Sequence, residues 1–411
     1  MNAVQKKPNP RLLQGLTILM AGFLIQVVLG GVYAWSGVGQ SLKLTYNWPS
    51  FQIELIFGLC IGIFALGTIA TGRLIHTLGP RLLGLISAIL FAAAYLLAWL
   101  SQGNYSLILI ALGPVLGLAT AFGYVCPLSV AVQWFPHHKG LVTGLSVAGF
   151  GGGAIINTIA LKSLAASSSD ILNTLLFMGL ISAFIIAASA TILRFPPKKP
   201  SPKAVPVANH HATARLPAIR EPEQHFFRTG LFWSLCIAMF LGTFGGLIVI
   251  GSVVPLSGEF GFAQLAPFAQ GLVAAGNALG RLFWGAMVDR FGTRAIFVSY
   301  IISAGAMLLL VAGPVSPVIF LVAVFFIGMQ FGACLVVFAT FTEKVYGPGA
   351  IARVYPLIFA WYGLAAIIGP PSGGLVHQAL GSYLPVIMTL VIMPLAGFLV
   401  LKRGTQVLSH Q

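Results

Sequence analysis

The segment GAMVDRFGTR, residues 285–294, decides the fold, because the chain carries it twice. Residues 72–81 read GRLIHTLGPR, with Gly72, His76, Gly79 and Arg81 at the offsets of Gly285, Asp289, Gly292 and Arg294. Each copy separates two apolar runs. Glycine at such a joint permits the positive backbone dihedrals of a tight turn. The arginines hold that turn on one side of an apolar layer. Two copies at equivalent places imply an internal repeat, with one unit in each half of the chain.

Outward from these joints the chain is almost entirely apolar. Of its 411 residues 58% are hydrophobic and 7% charged, against about 25% charged in a soluble domain. Twelve apolar runs cover residues 13–38, 51–72, 82–101, 106–133, 140–164, 171–193, 229–252, 264–288, 295–313, 316–340, 354–376 and 380–401. Each reaches or approaches the roughly 20 residues that cross a bilayer as a helix. The expected fold is an all-α membrane protein with twelve transmembrane helices in two six-helix halves, residues 1–193 and 229–411. Residues 194–228 between them are rich in proline and basic residues and lack an apolar face, which describes a disordered linker.

The net charge of +15 raises the question of a nucleic-acid partner. Its placement argues for topology instead. With the termini on one side, the connections on that side carry 19 of the 22 Lys and Arg residues; the opposite side carries Lys43 and Lys162. This bias predicts cytoplasmic termini in a multi-pass membrane protein, partnered by lipid and not by nucleic acid. Lys6, Lys7 and Arg11 precede a run of full spanning length, which reads as a retained first helix and not a cleaved signal. Cys60, Cys126, Cys236 and Cys334 lie far apart in separate spans, and the adjacent His210 and His211 fall in the linker, so no metal or cofactor is expected.

One cation remains, inside the span at 264–288. Arg281 at that depth costs roughly 2.5–3.5 kcal/mol, and such a residue is a functional hypothesis by default. Asn277 precedes it by four residues and shares its face. A single membrane cation favours a monoanion over a dianion, since an uncompensated second charge in low dielectric is costly. Further polar candidates are Tyr33, on a face with Gln26, Gly30 and Gly37; Tyr124, just before Pro127; and Tyr362, on a stripe with Tyr355 and Phe359. Leu145 and Phe331 are candidates for an apolar wall. Glu54 and His377, near span ends, are the proton-coupling candidates. Each of these also reads as packing or as a solvated helix end. No nucleophile–base pair suggests an enzyme, and no buried acid stands out in the spans to serve a cation antiporter.

The two joints resemble the G-x-x-x-D-R-x-G-R motif of the major facilitator superfamily, with His76 in the acidic position of the first copy. Residues 134–153, WFPHHKGLVTGLSVAGFGGG, are similar to the helix-5 signature of monocarboxylate porters, with Lys139, Leu141, Gly144, Ala148, Gly149 and Gly153 in its set places. Residues 30–42, GGVYAWSGVGQSL, are like the first span of the oxalate/formate antiporter family. The resemblance implies a monomeric secondary transporter for a short monocarboxylate, L-lactate with a proton, or alternatively an anion exchanger. It implies an anion-binding role for Arg281. Asn277 stands where animal monocarboxylate transporters place a titratable Asp, and Tyr362 aligns about where the oxalate exchanger carries a second cation.

Overall fold

The computed structural model describes residues 10–136, 138–165, 170–197, 226–292, 294–347 and 351–409. Its helices are α1 (Pro10–Leu29), α2 (Trp35–Tyr46), α3 (Ser50–Leu100), α4 (Tyr105–Ile110), α5 (Leu116–Trp134), α6 (Lys139–Ala165) and α7 (Ile171–Ile192), followed by α8 (Gly230–Glu259), α9 (Ala266–Phe291), α10 (Arg294–Val311), α11 (Pro317–Tyr346), α12 (Ile351–Leu380), α13 (Leu384–Leu390) and α14 (Ile392–Ser409). No strand occurs among the described residues. A helix satisfies its own backbone donors and acceptors, which a span in hydrocarbon requires.

The helices resolve into the twelve expected spans. At 1.5 Å per residue, the 51 residues of α3 would run about 77 Å, far beyond one crossing. The helix breaks at Gly79, with φ 77° and ψ 162°, and so supplies two spans. The matching joint in the other half ends α9 at Gly292, with φ 63°. Both glycines singled out in the repeat therefore adopt the left-handed dihedrals that make the turn possible. The first span is longer than its apolar run: a 3₁₀ turn at Gly30–Ala34 joins α1 to α2, which continues to Tyr46. A π-helical segment, Ala111–Val115, containing Pro114, joins α4 to α5. Helix starts are capped where the chain allows: Asp170 accepts from the Leu172 N–H at 2.9 Å, and Ser316 accepts from Val318. The linker at 194–228 lies outside the described residues except at its two ends.

Successive crossings put the turns at Asn47, Gly103, Gly261 and Gly381 at one end of the bundle, here the Lys43 end. Gly79, Gly292 and Gly347 lie at the other, the Arg290 end. Rings flank the bundle at both levels. Tyr46, Trp48 and Tyr105 group at the Lys43 end, and Phe226, Phe227, Phe232 and Trp233 at the other. The amphipathic rings among them, Tyr46, Trp48 and Tyr105 at one level and Trp233 at the other, match the two interfaces of a bilayer. Exposed apolar side chains such as Phe184 and Ile89 face the lipid.

The halves meet along α3 on α12, α6 on α9, and α2 on α8. Gly58 and Gly62 of α3 lie directly beneath Ala366 and Ile367 of α12, and Gly151 of α6 abuts Ala278 of α9. Among the described residues, three polar bonds join the halves at the Lys43 end. Val254 N–H donates to Ser36 Oγ at 2.8 Å, Gln270 Nε2 donates to the Ala34 carbonyl at 2.7 Å, and Ser50 Oγ pairs with His377 Nδ1 at 2.9 Å. That end is sealed.

Candidate substrate-binding site

Arg281 lies midway along α9, 1% exposed, where α9 faces α6 of the opposite half. The helical repeat brings Asn277 one turn beneath it, and Arg281 Nε donates to Asn277 Oδ1 at 3.1 Å. Nη1 donates to the backbone carbonyl of Val147 on α6 at 3.1 Å. The second terminal nitrogen, Nη2, is buried without a partner among the described residues. A guanidinium carries five N–H donors in a planar fork, and here the fork is held by two acceptors with one arm left over. Gly276 and Gly280 of α9 sit against the Phe325 and Met329 carbonyls of α11, so α9 is pressed closely against its neighbour.

Aromatic rings gather around the guanidinium. Arg281 Cζ is 5.5 Å from the centroid of Phe150. The Phe150 ring meets Tyr33 at 5.4 Å, Tyr124 at 5.0 Å and Phe64 at 5.6 Å. From the other half, Phe331 stands edge-on to Tyr33 at 5.6 Å, and Phe359 packs on Tyr362 at 4.9 Å. The Tyr33 and Tyr362 hydroxyls bond to each other across the halves at 3.0 Å. The Tyr33 and Tyr124 phenols lie close enough to the guanidinium to interact with it directly, and Tyr355 and Tyr362 lie within its electrostatic reach. Tyr355 is tied back by donating to the Leu335 carbonyl at 2.9 Å. The arrangement is one positive charge with unused donors, phenols to read an oxygen, and ring faces to hold a short apolar tail.

The structure thus brings together Arg281, Asn277, Tyr33, Tyr124, Tyr362, Phe331 and Phe359. Leu145 is a correction: it is 39% exposed, so it does not share an apolar wall with Phe331, which is 1% exposed. On α6 the face turned to Arg281 carries Val147 and Phe150, and Leu145 points away from it. The ring of Phe150, the ring of Phe64 and the Val147 carbonyl were not singled out from sequence. Phe150 had a signal: it is the one large side chain in GFGGG, where every neighbour is too small to fill the space.

Glu54 and His377 lie apart from this cage, at the Lys43 end. Glu54 precedes Phe64 by ten residues, about 15 Å along the helix. His377 is no solvated helix end, since it bonds across the halves to Ser50 and stacks on Tyr383 at 4.3 Å. Glu54 is only 2% exposed, so the spans do hold a buried acid. Its burial depends on Gly251 in the opposite half, a contact no local pattern reveals.

A membrane bundle of two six-helix halves with a polar site between them is the architecture of a secondary transporter. The chain belongs to the Major Facilitator Superfamily, whose sequence model matches residues 15–370 and, in a second overlapping match, 268–407. It is 26% identical over 356 residues to the uncharacterized MFS-type transporter YhjX of Escherichia coli (strain K12), covering 85% of each chain. It is 24% identical over 410 residues to the oxalate:formate antiporter of Oxalobacter formigenes, covering 95% of this chain and 92% of that one. Among solved structures, a D-xylose-proton symporter superposes with a TM-score of 0.70 at 15% identity, over 94% of this chain and 97% of that one. The protein is a multi-pass membrane transporter of small molecules and not an enzyme.

Proposed function

We propose that this chain moves a short monocarboxylate across the cell inner membrane by alternating access, and that the substrate is L-lactate carried with a proton. The observation that carries this reading is the unpartnered Nη2 of Arg281, buried in a cage of rings and phenols where the halves meet. A carboxylate placed there takes charge-assisted hydrogen bonds from the guanidinium. Its alkyl tail packs on Phe150, Phe331 and Phe359, and a substituent oxygen inserts at the Tyr33–Tyr362 pair. One cation balances one negative charge; a dianion would bury an unmatched one. One chain builds the whole site, so a monomer suffices.

The termini and the Arg290 end face the cytoplasm in this proposal, as the Lys and Arg bias predicts. The sealed Lys43 end is then the periplasmic side. In the cycle the anion enters when that side is open and pairs with Arg281. Neutralising the guanidinium lowers the barrier to rocking one half against the other.

Reconstituted vesicles test the reading. An inward-directed proton gradient is expected to drive accumulation of labelled lactate, and unlabelled C1–C4 monocarboxylates are expected to compete while dicarboxylates do not. The similarity to an oxalate:formate antiporter supports a second reading, electroneutral exchange. In that case uptake requires an anion inside the vesicle and ignores the proton gradient. Removing one hydroxyl of the tyrosine pair, by Tyr33→Phe or Tyr362→Phe, is expected to raise KM about three- to tenfold, the worth of one hydrogen bond. An unchanged KM in both variants removes the pair from the site.

A further inference from the structure

The seam at the Lys43 end holds a polar group that the anion site does not use. Glu54 of α3 is 2% exposed, and its Oε2 has no hydrogen-bond partner among the described residues. That oxygen lies against Gly251 of α8, in the opposite half, at a place where a side chain would collide with it. Gln40 of α2 lines the same small cavity, and its Oε1 is likewise buried and unpartnered. The cavity measures about 10 Å³ and is walled also by Ser36, Lys43, Pro255 and Tyr383. That is about the room a single water needs.

Two acceptor oxygens, Glu54 Oε2 and Gln40 Oε1, thus belong to residues lining one small space, and neither has a hydrogen-bond partner among the described residues. The nearest cationic side chains are engaged elsewhere. Lys43 Nζ donates to Ser50 Oγ at 2.8 Å, and Ser50 Oγ pairs with His377 Nδ1 at 2.9 Å. The Tyr383 N–H donates to Glu259, which also accepts from Ser382. The charged and titratable groups around Glu54 are therefore Lys43 from α2, His377 from α12, Tyr383 from the α12–α13 connection, and Glu259 behind Tyr383. The wall that α8 presents is Gly251 and Pro255, which carry no charge.

An ionised carboxylate only accepts hydrogen bonds, whereas a protonated one supplies an O–H donor. We propose that Glu54 and Gln40 form a proton-binding site in the seam, loaded from the Lys43 end and enclosed when that end seals. The balance is simple: an O–H bond forms on Glu54, and hydronium at the Lys43 end becomes water. The new donor serves Gln40 Oε1, directly or through one water. Sealing takes up a proton and opening releases it. By mass action, falling proton concentration shifts the population toward the open seam. The proposal is independent of which anion the carrier moves.

Accessibility of the seam tests this without substrate. Ser36 is 1% exposed and lines the cavity. Ser36→Cys is made in the full chain with Cys60, Cys126, Cys236 and Cys334 replaced by alanine, and the purified protein is reacted with a bulky maleimide. Rates are divided by those of a free thiol at the same pH. The normalised rate is expected to rise about tenfold between about pH 5.5 and about pH 8.5. Adding Glu54→Gln should make it flat. Adding His377→Asn should leave the rise in place. A flat rate with Glu54 present overturns the proposal, as does a rise that survives Glu54→Gln or disappears with His377→Asn. A rate set by sodium against choline at fixed pH marks a sodium site and also overturns it. Should Glu54→Gln not fold, Gln40→Leu decides: with the acceptor gone, the midpoint should move down by about one pH unit, and an unmoved midpoint overturns the proposal. No lactate is present, so failure of the lactate reading leaves these outcomes intact.

Discussion

Replacing Arg281 by glutamine is expected to lower the efficiency of lactate uptake by about 30- to 3,000-fold, while the protein remains folded. Truncating one member of a buried, hydrogen-bonded charge pair costs about 2–5 kcal/mol, and each 1.4 kcal/mol is tenfold. Glutamine keeps a donor for the Val147 carbonyl or for Asn277, so the empty carrier loses little packing. It cannot neutralise a carboxylate. The two effects separate experimentally: size-exclusion profile and thermal stability should change little, and initial uptake rates should collapse. Uptake within about threefold of the unmodified protein, where a single hydrogen bond would already account for the difference, would sink the anion-site proposal.

Lysine at the same place refines the argument. It restores the charge, but its ammonium is a point donor on a flexible stem, without the planar fork. Arg281 currently reaches Asn277 Oδ1 through Nε and the Val147 carbonyl through Nη1, keeping Nη2 free. A lysine that satisfies those acceptors has no donor with the right aim for a carboxylate. Arg281→Lys should therefore recover only part of the activity, with the loss weighted toward KM.

Much of this site was legible because its decisive features are local. Arg281 and Asn277 are one turn apart, so their bond follows from helical spacing alone. The stripe Tyr355, Phe359 and Tyr362 lies on one face for the same reason, and Gly79 and Gly292 declare their turns through their missing side chains. What stayed hidden joins distant elements. A backbone carbonyl such as that of Val147 has no residue-type signal. Phe64 looks like a core residue in any apolar helix, and only the approach of the two halves makes it a wall of the cage. Leu145 was misplaced because a helix turns 100° per residue, and its neighbours Val147 and Phe150 take the inner face. Glu54 looked like a helix-end residue until Gly251 of the opposite half covered it.

The second large effect is expected from glycines that hold Arg281 in place without touching it. Gly276 and Gly280 of α9 lie against the Phe325 and Met329 carbonyls of α11, and Gly328 and Gly332 of α11 lie against the Val273 and Asn277 carbonyls of α9. Each glycine brings a Cα against a facing carbonyl, the close approach that small residues allow between membrane helices. Any Cβ at these four places falls on a backbone atom, which cannot step aside as a flexible side chain can. Gly280→Val should therefore force the helices apart, at about 1–3 kcal/mol for the overpacking. The larger consequence falls on function. A displacement of about 1 Å in a positioned group costs about 100-fold in chemical catalysis, and a comparable loss of transport is expected here. Gly332→Ala is the sharper version, because its Cβ would meet both the carbonyl and the Oδ1 of Asn277, the atom that orients Arg281. Gly271→Ala and Gly305→Ala are the controls: nothing lies within 4 Å of a Cβ at either position, so both should transport like the parent. If Gly280→Val matches those controls in uptake and in melting temperature, the α9–α11 contact is looser than its backbone geometry implies, and the placement of Arg281 must come from its bonds to Asn277 and, on the α6 side, to Val147.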